Sequence, residues 1–276
     1  FRLKKHKKIT KKSLASKLQT KMPQISKRLE GKVAIVTAST AGIGYAIAEG
    51  LAENGAKVVI SSRKETNVEE ALQQLKSKGL DVSGCVCHVG KTEDRAKLLE
   101  LTLKQYGQLD ILVNNAGISP AFGPLLKTTS EQWDKIFSVN VKAGFQFVQE
   151  AMPHLQQTNG SVIFNSSMAA YNPIQMIGAY SISKTAILGL VKALASECGP
   201  MGIRVNGIAP GVIETQMNEM PLSNDAYREQ VLKTIPLNRF GKPSELAGLA
   251  VFLSSDEASY ITGETIMVTG GVHSRL

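Results

Sequence analysis

The sequence predicts an α/β protein of the doubly wound type, a parallel sheet with helices on both faces. Three observations carry that expectation. Short β-branched runs recur along the chain from Lys32, helix-length stretches separate them, and no internal repeat or low-complexity linker divides the pattern. Residues 29–276 therefore read as one Rossmann-type domain, preceded by a basic extension over residues 1–28.

In chain order the expected strands are "VAIVT" from Val33, "KVVISS" from Lys57, "VSGCVCHV" from Val82, "DILVNNAG" from Asp110, "SVIFNSS" from Ser161, "IRVNGIAPG" from Ile203 and "ETIMVTGG" from Glu264. The helices expected between them are Ile43 to Asn54, Asn67 to Lys78, Thr92 to Tyr106, Glu131 to Gln157, Tyr180 to Gly199 and Pro243 to Ser255.

Composition agrees with a globular enzyme-sized chain: 276 residues, 43% apolar and 20% charged. The longest apolar runs fall short of the ~20 residues a membrane span needs. The net charge of +9 is uneven, because 11 of the 32 Lys and Arg residues lie before Leu29, where there is no Asp or Glu. The remaining 21 face 23 acidic residues, so the body is near neutral and gives little reason to expect a nucleic-acid partner. The Lys-rich extension permits a mitochondrial leader, a nuclear signal or a nucleic-acid arm, and a solvated tail is the plainer reading. The chain begins with Phe, and Met22 stands just before the folded pattern.

Three cysteines, Cys85, Cys87 and Cys198, argue against a disulfide framework. "CVCH" lacks the second ligand pair of a zinc site, so no metal is expected and the thiols read as strand packing.

In a doubly wound sheet ligands bind beyond the carboxyl ends of the strands. After the first strand comes "TASTAGIG", where Gly42 and Gly44 open a helix whose N–H groups and dipole can receive a pyrophosphate. The second strand ends in Ser62, Arg63 and Lys64 where an acid would select NAD; a guanidinium beside hydroxyls suits the 2′-phosphate of NADP. Glu65 next to them keeps NAD open. In "GAYSISK", Tyr180 and Lys184 lie four residues apart on one helical face, so a lysine charge can favour the ionised form of a phenol whose ordinary pKa is about 10.

With "NNAG" from Asn114, Asn140 in "SVNV", Ser167, the "YxxxK" pair Tyr180 and Lys184, and "PG" at Pro210, the chain resembles the short-chain dehydrogenase/reductase family from Leu29 to Gly271. The resemblance implies a tetrad of Asn140, Ser167, Tyr180 and Lys184. In it Tyr180 donates the proton, Ser167 stabilises the carbonyl oxygen, Lys184 also holds the nicotinamide ribose, and Asn140 holds a relay water. It implies an NADPH/NADP+ site built from Thr37, Ser39, Thr40, Gly42, Ile43, Gly44, Ser62, Arg63, Lys64, His88, Val89, Asn115, Ala116, Gly117, Pro210, Gly211, Val212 and Thr215 together with Tyr180 and Lys184. Two positions depart from the family pattern: Ala38 stands for the usual first glycine, and His88 for the acid after the third strand. Both are expected in the branch of NADP-dependent carbonyl and retinal reductases that "SSRK", "CHVG" and "YITGET" resemble.

Substrate choice should come from the loops at Ser119 to Leu126, Met168 to Ile177 and Met217 to Leu222, whose Ile, Met, Pro and aromatic residues suit a small hydrophobic carbonyl compound. The terminal Ser274, Arg275, Leu276 resembles a peroxisomal address read by an import receptor, with the basic extension competing for the mitochondrion. The family resemblance implies a homotetramer. Two alternatives stand beside a carbonyl reductase: a peroxisomal ketoacyl-CoA reductase of the same fold, and a non-catalytic NADP-binding protein whose basic tail contacts nucleic acid.

Overall fold

The computed structural model describes residues 27–215 and 224–272, the Tyr227 side chain excepted. The basic extension up to Ser26, the Met217 to Leu222 segment and the terminal Ser274 to Leu276 lie outside the described residues. The strands are β1 (Val33–Val36), β2 (Lys57–Ser62), β3 (Val82–Val86), β4 (Ile111–Asn114), β5 (Ser161–Asn165), β6 (Arg204–Pro210) and β7 (Thr265–Val268). They form one sheet in the order β3-β2-β1-β4-β5-β6-β7, every pair parallel. The order reverses between β1 and β4, which opens a crevice at their carboxyl ends.

The helices are α1 (Gly42–Glu53), α2 (Glu65–Ser77), α3 (Thr92–Tyr106), α4 (Ser130–Phe137), α5 (Ala143–Gln157), α6 (Gly178–Cys198), α7 (Asp225–Leu232) and α8 (Ser244–Ser254). Central strands carry β-branched residues buried on both faces, as Val58, Val59 and Ile60 show, because helices cover both sides of a parallel sheet. On one face Ile47, Leu51, Leu75, Leu246 and Val251 from α1, α2 and α8 form the core. On the other, Leu98, Phe147, Leu155, Ile187 and Val191 from α3, α5 and α6 do so. Helices α1 and α8 approach closely at Gly50, where a Cβ would stand 2.9 Å from that of Ala247.

Three features differ from the sequence expectation. The helix expected from Glu131 to Gln157 is two helices joined by one π-helical turn at Ser138–Lys142, an insertion that leaves the apolar pattern on each side intact. Helix α7 was not expected, since "DAYREQVL" shows little apolar periodicity. The third strand is shorter than "VSGCVCHV": after Val86 the chain turns into α3, with the His88 N–H donating to the Asp94 carboxylate at 2.9 Å. Cys87 is buried, and burial pushes its thiol up to about 12, as expected of an inert packing residue.

Candidate active site

The turn between β1 and α1 is held from inside. Thr37 is buried; its hydroxyl donates to the Val113 carbonyl at 3.3 Å and accepts from the N–H groups of Asn115 and Ala116 at 3.0 and 3.2 Å. The Asn115 amide donates to the carbonyls of Thr37 and Ala38 at 3.0 and 2.9 Å. These bonds fix the "NNAG" loop against the glycine turn. Ala38 is left-handed at φ 50°, a conformation that costs an alanine roughly 1–2 kcal/mol and that glycine adopts freely. A Cβ on Gly44 would meet the Asn115 amide nitrogen at 2.4 Å and the Ala38 carbonyl at 2.5 Å, so only glycine fits there.

Ser39 does not offer its hydroxyl to the crevice. It is fully buried, donates to the Val36 carbonyl at 2.6 Å and accepts from the Ser61 N–H at 3.1 Å. Ser39, expected among the cofactor-binding residues, uses its hydroxyl to join β1 to β2. Thr40, Gly42 and Ile43 form the partly open rim of the turn. No side chain caps the N-terminus of α1 and no acid lies in its first turn, so its N–H groups suit an anion. Thr215, in the loop that follows Pro210, Gly211 and Val212, packs over this turn: its Cγ2 would lie 3.4 Å from a Cβ on Gly42. Gly211 passes close to Thr269, whose Cα would stand 2.8 Å from an added Cβ.

At the end of β2, Ser62 is half-buried while Arg63 and Lys64 are exposed, and neither base has an ion pair among the described residues. Glu65 opens α2, where its carboxylate complements the helix dipole. Half-buried His88 and Val89 follow β3; the His88 Nδ1 accepts from the Gly90 N–H at 3.1 Å.

The four residues expected to do chemistry come together at the ends of β4 and β5. Tyr180 and Lys184 sit in the first two turns of α6, and the Lys184 Nζ lies 5.6 Å from the centre of the phenol ring. Ser167 follows β5 near the Tyr180 phenol, and its hydroxyl accepts from the Ala169 N–H at 3.1 Å. Lys184 is buried and donates to the Asn165 carbonyl at 2.6 Å. A Cβ on Gly117 would reach within 3.3 Å of that Nζ, so a side chain there would crowd the ammonium. Asn140 lies in the π turn; its Oδ1 accepts from the Ile118 N–H at 2.8 Å, and its amide donates to the Ile118 carbonyl and the Ser183 hydroxyl, each at 3.0 Å. Both amide protons are engaged and Oδ1 already accepts once, so this side chain could hold a water only through the remaining lone pair of Oδ1.

Burial sets the protonation states. It pushes the Tyr180 phenol above its ordinary value, with the hydrogen bond from Ser167 opposing, and it pulls Lys184 down to about 8. Desolvation is the largest effect at the phenol, which keeps its proton at rest, and the lysine that the sequence sets one helical turn away lies 5.6 Å from the ring. A protonated phenol beside a serine hydroxyl can deliver a proton to an oxygen placed between them.

Two residues that hold this arrangement escaped the sequence reading. Ser183 is fully buried, accepts from Asn140 and donates to the Tyr180 carbonyl at 2.7 Å, linking the π turn to α6. Asn165 links Lys184 to Asn115, donating to the Asn115 Oδ1 at 2.8 Å. Both contacts join residues far apart in sequence; only the serine's place beside Lys184 could have drawn notice.

The uncapped helix, the cradle at Gly44 and the exposed bases after β2 together fit a nicotinamide dinucleotide laid across the crevice. Among the described residues no helix is long and apolar enough to cross a membrane. A family model described as enoyl-(acyl carrier protein) reductase matches residues 37–273. The curated protein named dehydrogenase/reductase SDR family member 4 from Caenorhabditis elegans is 49% identical over 260 residues, 92% of this chain and 100% of its own. The human protein of that name is 48% identical over 249 residues, covering 90% of each chain. Among solved structures, one described as a gluconate dehydrogenase from Agrobacterium tumefaciens superposes with a TM-score of 0.87 at 32% identity, over 92% of this chain and 100% of its own. One described as an NAD(P)-dependent gluconate 5-dehydrogenase from Beutenbergia cavernae, with bound NADP at low occupancy, superposes at 0.84 and 32% identity, over 89% and 98%. With this fold, this site and these relatives, the chain belongs to the short-chain dehydrogenase/reductase family and is an NAD(P)-dependent oxidoreductase.

Proposed function

We propose that the protein is an NADPH-dependent carbonyl reductase that converts hydrophobic ketones and aldehydes to alcohols. The observation that carries this reading is the gathering of Ser167, Tyr180 and Lys184 at the ligand end of the sheet, with the Lys184 Nζ 5.6 Å from the phenol ring and burial keeping the phenol protonated. When bound, the dinucleotide supplies a hydride to the carbonyl carbon. Tyr180 donates its proton to the carbonyl oxygen, and Ser167 donates a hydrogen bond to the same oxygen as charge develops there. Lys184 holds a positive charge beside the resulting phenolate below about pH 8, and its ammonium, packed beside Gly117, would hold the nicotinamide ribose. Asn140 positions the Gly117–Ile118 backbone through its two bonds to Ile118.

Arg63 and Lys64, exposed and without an ion pair among the described residues, favour the 2′-phosphate of NADP, and Glu65 opens α2 beside them. NADP in a neighbour 32% identical supports the same choice. The substrate class follows from the rim. Loops 119–127 and 172–177 are tied by the Gly123 N–H donating to the Met176 carbonyl at 2.8 Å, and they present Phe122, Leu125, Leu126 and Met176 to solvent. Such a rim suits an apolar carbonyl compound. The test is to follow cofactor oxidation with a panel of aromatic ketones, retinal, dicarbonyls and ketoacyl-CoA esters, each with NADPH and NADH. Faster turnover with NADH, or turnover confined to the CoA esters, overturns the reading.

A further inference from the structure

One charged side chain lies wholly inside the protein and takes no part in the chemistry above. Arg95, in the first turns of α3, is 0% exposed and heads the fully buried side chains by size. Its Nε donates to both carboxylate oxygens of Glu150, at 3.2 and 2.9 Å. Its Nη2 donates to the Glu150 Oε1 at 2.6 Å and to the Thr92 hydroxyl at 3.3 Å. The Nη1 donates to the main-chain carbonyl of Val89 at 2.7 Å. The preceding residue, Asp94, accepts from the main chain of His88. Two successive residues of α3 thus grip two successive residues of the loop after β3, and Glu150 anchors the grip to α5.

That loop borders the crevice. The Cys87 N–H donates to the Ser62 carbonyl at 2.8 Å, which sets the loop beside Arg63, and Val89 lines a small cavity together with Thr37, Asn114 and Ala116. A buried arginine–carboxylate pair seldom adds net stability over an apolar pair of similar volume. What a planar guanidinium does supply is a fixed direction for each of its bonds. Here one of those bonds ends on the backbone of the crevice wall.

We propose that Arg95 is a positioning residue for the adenosine half of the dinucleotide: through Val89, and with Asp94 through His88, it fixes the wall that closes over the ends of β2 and β3. The proposal rests on the dinucleotide reading of the site. It separates two determinants, since Arg63 would recognise only the 2′-phosphate, whereas Arg95 sets a wall met by every adenine dinucleotide.

The test replaces the pair by an apolar one, Arg95→Met with Glu150→Leu, beside Arg95→Lys, which keeps the charge and loses the fork. Thermal unfolding, calorimetric affinities for ADP-ribose, NADPH and NADH, and kcat at saturating NADPH are measured. The paired variant should unfold at or above the parent temperature and keep its kcat. Its affinity for all three ligands should fall by a common factor of about tenfold or more, the scale expected when a binding wall shifts by a fraction of an ångström to an ångström. Arg95→Lys should bind like the paired variant, and Arg63→Ala should weaken NADPH alone. Parent-level affinity for ADP-ribose in both Arg95 variants overturns the proposal, as does an affinity loss that only tracks a lower unfolding temperature. If the parent itself binds neither ADP-ribose nor NADPH, the dinucleotide reading falls and this proposal falls with it.

Discussion

The floor of the crevice and its rim are built on opposite plans. On the floor Thr37, Asn115, Asn140, Asn165, Ser183 and Lys184 each bond to a neighbour that another element supplies, and most are buried. On the rim, Arg63 and Lys64 are exposed without ion pairs among the described residues, and Phe122 and Leu126 are 76% and 97% exposed. The difference teaches where each kind of function can reside. Proton transfer needs groups fixed to a fraction of an ångström, which cross-links provide; selection among cofactors or substrates needs unspent bonding capacity, which cross-links would consume.

If that contrast is right, damage to the floor should cost turnover and damage to the rim should cost affinity. The largest effect is expected from Tyr180→Phe, which removes the proton donor and keeps the ring. Reductase kcat should fall by about 10²–10⁴-fold, with NADPH affinity by calorimetry nearly intact. Arg63→Ala comes next: loss of charge-assisted bonds worth about 1.5–3 kcal/mol should raise the Kd for NADPH on the order of ten- to a hundredfold, leave NADH unchanged and spare kcat. A comparable fall in kcat would erase the distinction between floor and rim.

The pH profile sharpens the comparison further. Burial lowers Lys184 to about 8 and raises Tyr180, so the phenol stays protonated while the lysine loses its charge first. In reduction kcat/KM should therefore be high below about pH 8 and fall as pH rises through it, and Lys184→Met should remove that limb. A smaller effect is expected from Ser183→Ala, which strands the buried Asn140 amide at a cost of about 1–3 kcal/mol, read as a lower midpoint in urea unfolding together with a reduced kcat. Smallest of all, Leu126→Ser on the rim should change KM for an apolar ketone by a few-fold, about the worth of one exposed side chain partly covered by the substrate, without altering kcat.

Much of this was legible in the sequence because the signals are local. Strand runs such as "KVVISS" and the helix from Thr92 to Tyr106 follow from side-chain periodicity, and both were placed to the residue. The glycine turn, Ser167, Tyr180 and Lys184 could be picked out by residue type at the ends of those elements. What stayed hidden depends on partners elsewhere. Nothing local says that the Ser39 hydroxyl is spent on Val36 and Ser61, or that Lys184 meets Asn165, because bonds across the sheet are fixed only when strands pair. The dominance of desolvation over the lysine charge at Tyr180 belongs with these, since burial is a property of the packed whole.

A π turn closes over one residue more than an α turn, so the extra residue at Ser138–Lys142 is absorbed locally and the faces of α4 and α5 keep their relation. Upstream, Ile136 is the buried residue; downstream, Ala143, Phe147, Val148, Ala151 and Leu155 face the sheet, and Glu150 meets Arg95. A single deletion between Ser138 and Lys142 would therefore tighten the turn to an ordinary α turn, leaving the Phe147 face on the sheet and Glu150 on its arginine while carrying Asn140 off Ile118 and Ser183. In this stretch the spare residue sets where Asn140 stands rather than which way α5 faces.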